Sequence, residues 1–402
     1  MNFQRVRLID SLRGLSLFGI LLANLLIFQY GIWGKEEISF FSLSNIDVSA
    51  YKSIKIAVEG SFMPIFTFLF GYSIIKLVES LKSKGVRVKL HLVRRFLMLM
   101  VIGILHGTYL WEGDILFFYG LMGFFLLLFI NRKKKTLIIW GSTLFILTSA
   151  MGYGVYEETK EEAEKASSYI VQTNDVYKNA TYLEIKDHRE NESPLLVENE
   201  ILLLFVMIFA PFMTAPLFLF GMAAAKGKIF TKPHAEQKWY KVGAILLPVG
   251  LALKSVSVIY EENAWSAILL TVGAQLLSLG YIAAFSILFV SFSNSIVFRG
   301  FESVGKLSLT NYIMQTVICT TIFYGYGLGL FGELGMLNSI ILGLVIFALQ
   351  CVCSTLYLKM FRRGPLEHIL RIGTNFSWNG SVKKKRTFFK KSKKVNLESG
   401  TI

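Results

Sequence analysis

Residues 105 to 116 read LHGTYLWEGDIL and set His106, Trp111, Glu112 and Asp114 inside a chain that is otherwise mostly hydrocarbon. A neutral imidazole accepts a proton near pH 7, and a carboxylate beside it fixes which ring nitrogen is the acceptor. Such a pair is the equipment of a general base. Asn24 and Glu59 lie at a comparable depth in neighbouring apolar stretches, so four polar groups from four segments are expected at one level. Asn24 has the right chemistry to donate a hydrogen bond to a developing oxyanion. Glu59, Trp111 and Glu112 would meet an incoming substrate. Structural duties compete with each assignment. Asp114 serves equally as a helix N-cap, Asn24 as a bond between helices, and Glu59 as a solvated interfacial charge.

The setting for these residues is a membrane. The 402 residues are 53% hydrophobic with a mean hydropathy of +0.53, well above a soluble domain. Stretches able to cross the hydrocarbon layer, which takes about 20 helical residues, occur near 14–33, 56–78, 95–111, 114–130, 136–154, 201–225, 239–260, 265–292, 308–330 and 337–361. The expected fold is an all-α polytopic membrane protein of about ten transmembrane helices. Its transmembrane domain spans 1–373, with a basic cytoplasmic tail at 374–402. The first span follows Arg5, Arg7 and Arg13, lacks a clear cleavage site, and reads as an uncleaved anchor.

Charge sets the orientation. Basic residues concentrate in 79–94, 131–135, 226–241, 293–307 and the tail, and are sparse in the alternate loops. The positive-inside rule then places both termini in the cytoplasm of a multi-pass membrane protein. The formal net charge of +15 is thereby explained without nucleic acid, and the KKKRTFFKKSKK cluster at 383–394 suits anionic lipid. The acidic loop at 155–200 is extracytoplasmic and reads as a small helical subdomain or a solvated connector. The three cysteines and five histidines show no metal-ligand spacing, so no metal is expected.

A second polar set belongs to the inner surface. Arg13 at the start of the first span, Arg94 and Arg95 at the start of the third, and Lys306 and Asn311 at the start of the ninth would form an anion-binding entrance or merely anchor the helices. Pro64, Pro211 and Pro216 are expected to interrupt helices, and Lys254, near an outer end, to snorkel.

Four blocks carry a resemblance: RLIDSLRGLSLFGILLAN at the start, FMPIFTFLFGYS in the second span, RRFLMLMVIGILHGTYLWEGDILFFYGLMG across the third and fourth, and GKLSLTNYIMQT with FRRGPLEHILR near the end. In that order they resemble the YeiB-like family of bacterial membrane proteins, domain of unknown function 418. That family is similar to the transmembrane acyltransferases that include heparan-α-glucosaminide N-acetyltransferase. The resemblance implies transfer of an acyl group, acetyl above all, from cytoplasmic acetyl-CoA or another acyl-CoA to an extracytoplasmic glycan, small-molecule or lipid-linked acceptor. It implies that His106 is the membrane-embedded histidine, with Asp114 beside it. Asn24, Arg13 and Asn311 also fall within its blocks.

Two other classes stay open. A buried His/Asp pair among proline-containing helices also suits a proton-coupled transporter or flippase, although no duplicated half is visible in the sequence. A non-catalytic membrane partner or sensor is the third, and a homodimer is an open assembly.

Overall fold

The computed structural model describes residues 6–154, 159–191, 200–260 and 263–382, with the backbone alone over 200–208. The 383–394 cluster, and with it most of the tail at 374–402, falls outside the described residues.

In chain order the helices are α1 (Arg7–Gly34), α2 (Asn45–Ala57), α3 (Phe62–Ser83), α4 (Val88–Tyr109), α5 (Leu116–Leu126), α6 (Lys134–Ala150), α7 (Lys160–Asn179) and α8 (Tyr182–Asn191). They continue with α9 (Glu200–Lys226), α10 (Pro233–Gly243), α11 (Leu246–Ile259), α12 (Ser266–Phe292), α13 (Ile296–Lys306), α14 (Ser308–Phe323), α15 (Met336–Met360) and α16 (Pro365–Asn375). Six helical runs among the described residues are long and apolar enough to cross a membrane: α1, α2 with α3, Phe209–Lys226 of α9, α10 with α11, α12, and α15. The bundle has two ends. Arg7, Arg13, Lys82, Lys226, Lys306 and Arg362 gather at one, the basic face. Gly34, Glu59, Glu112 and the α7–α8 hairpin occupy the other, the hairpin face.

Small residues let the central helices approach backbone to backbone. A Cβ on Gly14 of α1 would sit 2.1 Å from the Phe301 carbonyl oxygen, and one on Gly305 of α13 would sit 1.8 Å from that of Asp10. In a bundle surrounded by apolar solvent, such close approach supplies much of the packing energy. Arg7 ties the same pair of helices through Glu302 at 2.8 Å.

Several sequence expectations change. The link 293–307 holds the helix α13, and a further helix, α2, precedes the second span. Pro64 stands in the first turn of α3, where an amide has no helical partner to lose. Pro211 and Pro216 lie inside α9, which stays continuous past them.

Lys254 does not snorkel. It is 0% exposed, and its ammonium donates to the Glu59 carbonyl and, at 3.2 Å, to Ser61 Oγ. Two further side chains complete the clasp: Tyr281 donates to the Ala57 carbonyl at 2.9 Å and Ser278 to the Ser61 carbonyl at 2.5 Å. The carbonyls that a helix end and turn leave orphaned are thus satisfied by α11 and α12. Lys254→Met should lower stability by about 1–3 kcal/mol, since the Glu59 carbonyl loses its donor in a buried turn. A drop in the thermal unfolding midpoint in lipid nanodiscs is the expected result, and an unchanged midpoint would refute it.

The expected subdomain at 155–200 is helical where described. Thr159 and Glu162 close a capping box on α7, and the hairpin docks. Tyr182 donates to the Tyr109 carbonyl at 2.8 Å and Arg189 to the Leu110 carbonyl at 3.2 Å. It therefore caps the C-terminal end of the helix that bears His106.

Candidate functional site

The turn Leu110–Ile115 between α4 and α5 is short, so the two helices lie antiparallel and side by side. Gly103 permits the tight start of α5, because a Cβ there would meet the Phe117 amide nitrogen at 2.2 Å. This brings Asp114 back along α4, to 2.8 Å between its Oδ1 and His106 Nδ1. The other carboxylate oxygen accepts the Phe117 amide at 2.8 Å. Asp114 is therefore both a cap in the first turn of α5 and a partner of the imidazole, one oxygen for each.

A carboxylate only accepts, which assigns the proton to Nδ1 and leaves Nε2 as the acceptor. Thr316 of α14 fills that position with its hydroxyl, 3.0 Å away. Tyr312, one turn earlier on α14, packs against the ring with centroids 5.3 Å apart and donates to the Gly113 carbonyl at 3.2 Å. His106 is 2% exposed and Thr316 2%. The arrangement Thr316–His106–Asp114 has the connectivity of a hydroxyl, a base and the base's orienter. Thr316 and Tyr312 were not singled out from the sequence.

On the basic face opens a cavity of about 470 Å³. Seven basic side chains and two acidic ones line it, among them Arg13, Arg95, Lys306, Arg362, Arg363 and Arg371. Arg13 is held at 2.9 Å from Asp10 and bonds Ser73 of α3. Glu367 of α16 caps the start of α14, accepting from the Leu309 amide at 2.8 Å and from the Thr310 hydroxyl at 2.6 Å. The cavity wall climbs α3 from Ser80 to Phe66, about 21 Å at the rise of a helix. Its upper part is apolar, formed by Phe66, Leu69 and Phe70. There Tyr119 of α5 packs on Phe66 and Phe70 with centroids 5.2 and 5.1 Å apart, and its hydroxyl lies 2.8 Å from that of Thr67. Asp114 stands about one turn beyond Tyr119.

A smaller cavity of about 210 Å³ opens near the hairpin face, with Glu112 in its wall. His106 lines neither hollow. Trp111, fully buried beside it, stacks on Phe28 with centroids 4.3 Å apart.

The remaining sequence candidates are dispersed. Arg94 lies outside the basic cavity and stacks over the Phe376 ring at 4.2 Å. Asn311 is buried between α14 and α15, bonded to Ser354 at 3.0 Å. Asn24 is half-buried and forms no hydrogen bond with His106 or Asp114. Glu59 belongs to a separate ion-pair cluster with Lys35 at 2.7 Å and Lys55 at 3.2 Å. Of the four groups expected at one level, His106 and Asp114 meet at the centre and Asn24 and Glu59 do not join them; Glu112 lines the second cavity. Among the described residues no group of three or more His, Cys, Asp or Glu side chains could hold a metal ion.

The family described as "Protein of unknown function (DUF418)" matches residues 224–377. The uncharacterized protein YxaH of Bacillus subtilis is 31% identical over 393 residues, covering 95% of this chain and 97% of its own. The uncharacterized protein YeiB of Escherichia coli is 22% identical, covering 90% and 94%. An uncharacterized 39.9 kDa protein from the amylase 3' region of Bacillus acidopullulyticus is 25% identical, covering 92% and 94%. No solved structure matches the chain.

Proposed function

The chain belongs to the DUF418 family, and from that premise we propose that it is a membrane-embedded acyltransferase with His106 as general base. An acyl-CoA enters from the basic face, and an acceptor hydroxyl comes from the hairpin face. In this reading α1, α3, α4, α5, α6, α9, α11, α12, α14 and α15 make ten crossings, and the positive-inside rule puts the basic face in the cytoplasm of the bacterial plasma membrane.

The basic cavity carries the reading. Coenzyme A bears several phosphates at one end and its thioester at the far end of a slim, flexible arm. A mouth of seven cations leading into an apolar shaft matches that division of chemistry. Tyr119 packs on Phe66 and Phe70 of the apolar wall, and in this reading its ring has to swing aside for the thioester to reach Nε2.

Transfer then proceeds by general-base catalysis. Nε2 takes the proton of the acceptor hydroxyl as its oxygen attacks the thioester carbon. The carbon–sulfur bond breaks, and the thiolate leaves with the proton returned from the imidazolium. Asp114 holds the ring and stabilises its charge in between. Thr316 occupies the place where the acceptor hydroxyl presents its proton, and orients the ring when the site is empty. Thr316→Val should slow transfer about fivefold, the equivalent of about 1 kcal/mol for one hydrogen bond, and Thr316→Ser should restore it. Labelled acyl transfer in proteoliposomes checks both.

The experiment that tests the function uses the protein in nanodiscs with labelled acetyl-CoA and long-chain acyl-CoA. Saturable binding that coenzyme A displaces, followed by transfer of label to extracted envelope material, supports it; absence of both overturns it. Two hollows on opposite sides of a buried titratable pair also fit a proton-coupled transporter or flippase. Solute uptake driven by a pH gradient and lost in Asp114→Asn would favour that second reading.

A further inference from the structure

The hollow near the hairpin face has walls from three elements that differ in kind. α1 contributes Tyr30, Gly31 and Trp33, the α4–α5 turn contributes Glu112, and the α7–α8 hairpin contributes Tyr169 and Arg189. Here α1 breaks: Gly31 has φ 76° and ψ 171°, far from helical values, inside an otherwise continuous apolar helix. A membrane helix abandons its regular backbone where the freed peptide groups face a cavity or other protein. The backbone at Gly31 lies in the wall of this hollow.

Its charges are already neutralised. Arg189 pairs with Glu112 at 3.2 Å, and Tyr177 donates to the other Glu112 oxygen at 3.0 Å. Burial, followed by the nearby Glu112 carboxylate, keeps the Tyr177 hydroxyl protonated far above its ordinary range. The pocket therefore presents hydrogen-bonding groups with little net charge, which disfavours a strongly anionic or cationic guest.

Two of the aromatic rings, Tyr169 and Tyr30, are held in place. Tyr169 stacks on His188 with centroids 4.9 Å apart and planes 6° from parallel, and His188 Nε2 lies 2.8 Å from Thr173 Oγ1. Tyr30 is wedged against Phe41 with centroids 4.6 Å apart. Fixed flat apolar faces beside a hydrogen-bonded carboxylate suit a ligand with a C–H face and a rim of hydroxyls. The volume, about 210 Å³, is that of a single ring and not of a drug-sized or lipid ligand.

From this we infer that the pocket binds one neutral saccharide ring, and that the α7–α8 hairpin determines which ring it accepts. The inference deepens the proposed function, on which it rests for calling this ring the acyl acceptor. Binding itself is independent of acyl transfer.

Saturation-transfer NMR on the full chain in nanodiscs tests it, with methyl glucoside, methyl galactoside and methyl N-acetylglucosaminide as probes. At least one should receive saturation, at least fivefold less in Trp33→Ala and in Tyr169→Ala. Trp33→Phe, which keeps a flat face, should retain most of the signal and guards against a folding defect. Leu183→Ala, on the exposed side of α8, should match the parent. Silence for all three probes, or signals that persist in both alanine variants, overturns the inference. Labelled acetyl-CoA transfer is measured in parallel. Saccharide binding without transfer removes the acyltransferase reading and leaves the pocket assignment, and transfer without saccharide binding does the reverse.

Discussion

His106→Ala is expected to abolish acyl transfer, a loss of roughly 10²–10⁴-fold, the usual contribution of a positioned general base. The protein should still fold and still bind its donor, because the proposed function places the donor's phosphates on the basic face, and His106 does not line that cavity. Removing the imidazole leaves Asp114 capping α5 through the Phe117 amide, so the α4–α5 turn keeps its main anchor. The decisive comparison is transfer against donor binding in the same nanodiscs. Transfer at the parental rate would exclude His106 as the base, and loss of both functions together would identify it as a structural group.

The second large effect belongs to the mouth of the basic cavity. Replacing either Arg95 or Arg371 by glutamine should weaken acyl-CoA binding by about ten- to a hundredfold, given that one charged hydrogen bond contributes about 1.5–3 kcal/mol. The turnover rate at saturating donor should change little, because neither side chain approaches the thioester end. The remaining affinity should also depend less steeply on salt, since fewer charges are screened. Titration of labelled acyl-CoA at two ionic strengths measures both effects. Unchanged affinity would mean that the cavity does not hold the phosphates.

What could be read from the sequence follows the range of the interactions concerned. The His106–Asp114 pairing was legible because a short turn forces α4 and α5 together, so the contact is nearly local. Thr316 lies 210 positions from His106. Its approach depends on how α14 seats against the central helices, which hydropathy does not encode. The same limit applies to the cation cluster. Arg13, Arg95 and Lys306 were visible as charges at span ends. Arg362, Arg363 and Arg371 join them only because the chain turns after α15 and α16 packs back on α4.

Lys254 shows the opposite failure. Position near a helix end argued for a solvated ammonium, yet the Val58–Ser61 turn covers it and supplies its acceptors. The 155–200 loop was read from composition as either a small helical subdomain or a solvated connector, and it is helical where described. Its attachment rests on isolated residues, Tyr177, Tyr182 and Arg189, that no periodicity marks. Asn24, Glu59, Arg94 and Asn311 shared a depth or a face with the site, but depth alone does not tell which side of a helix a residue occupies.

The aromatic layers at either end of the His–Asp pair have a bioenergetic consequence. A titratable ring and a carboxylate within a bundle become a proton leak as soon as water threads past them from both sides. With Tyr119 packed on one side and the Phe28–Trp111 stack beside the other, the resting protein insulates the pair, and many copies can sit in a membrane without discharging its electrical potential. The proposed reaction would keep that insulation only if one layer closes before the other parts.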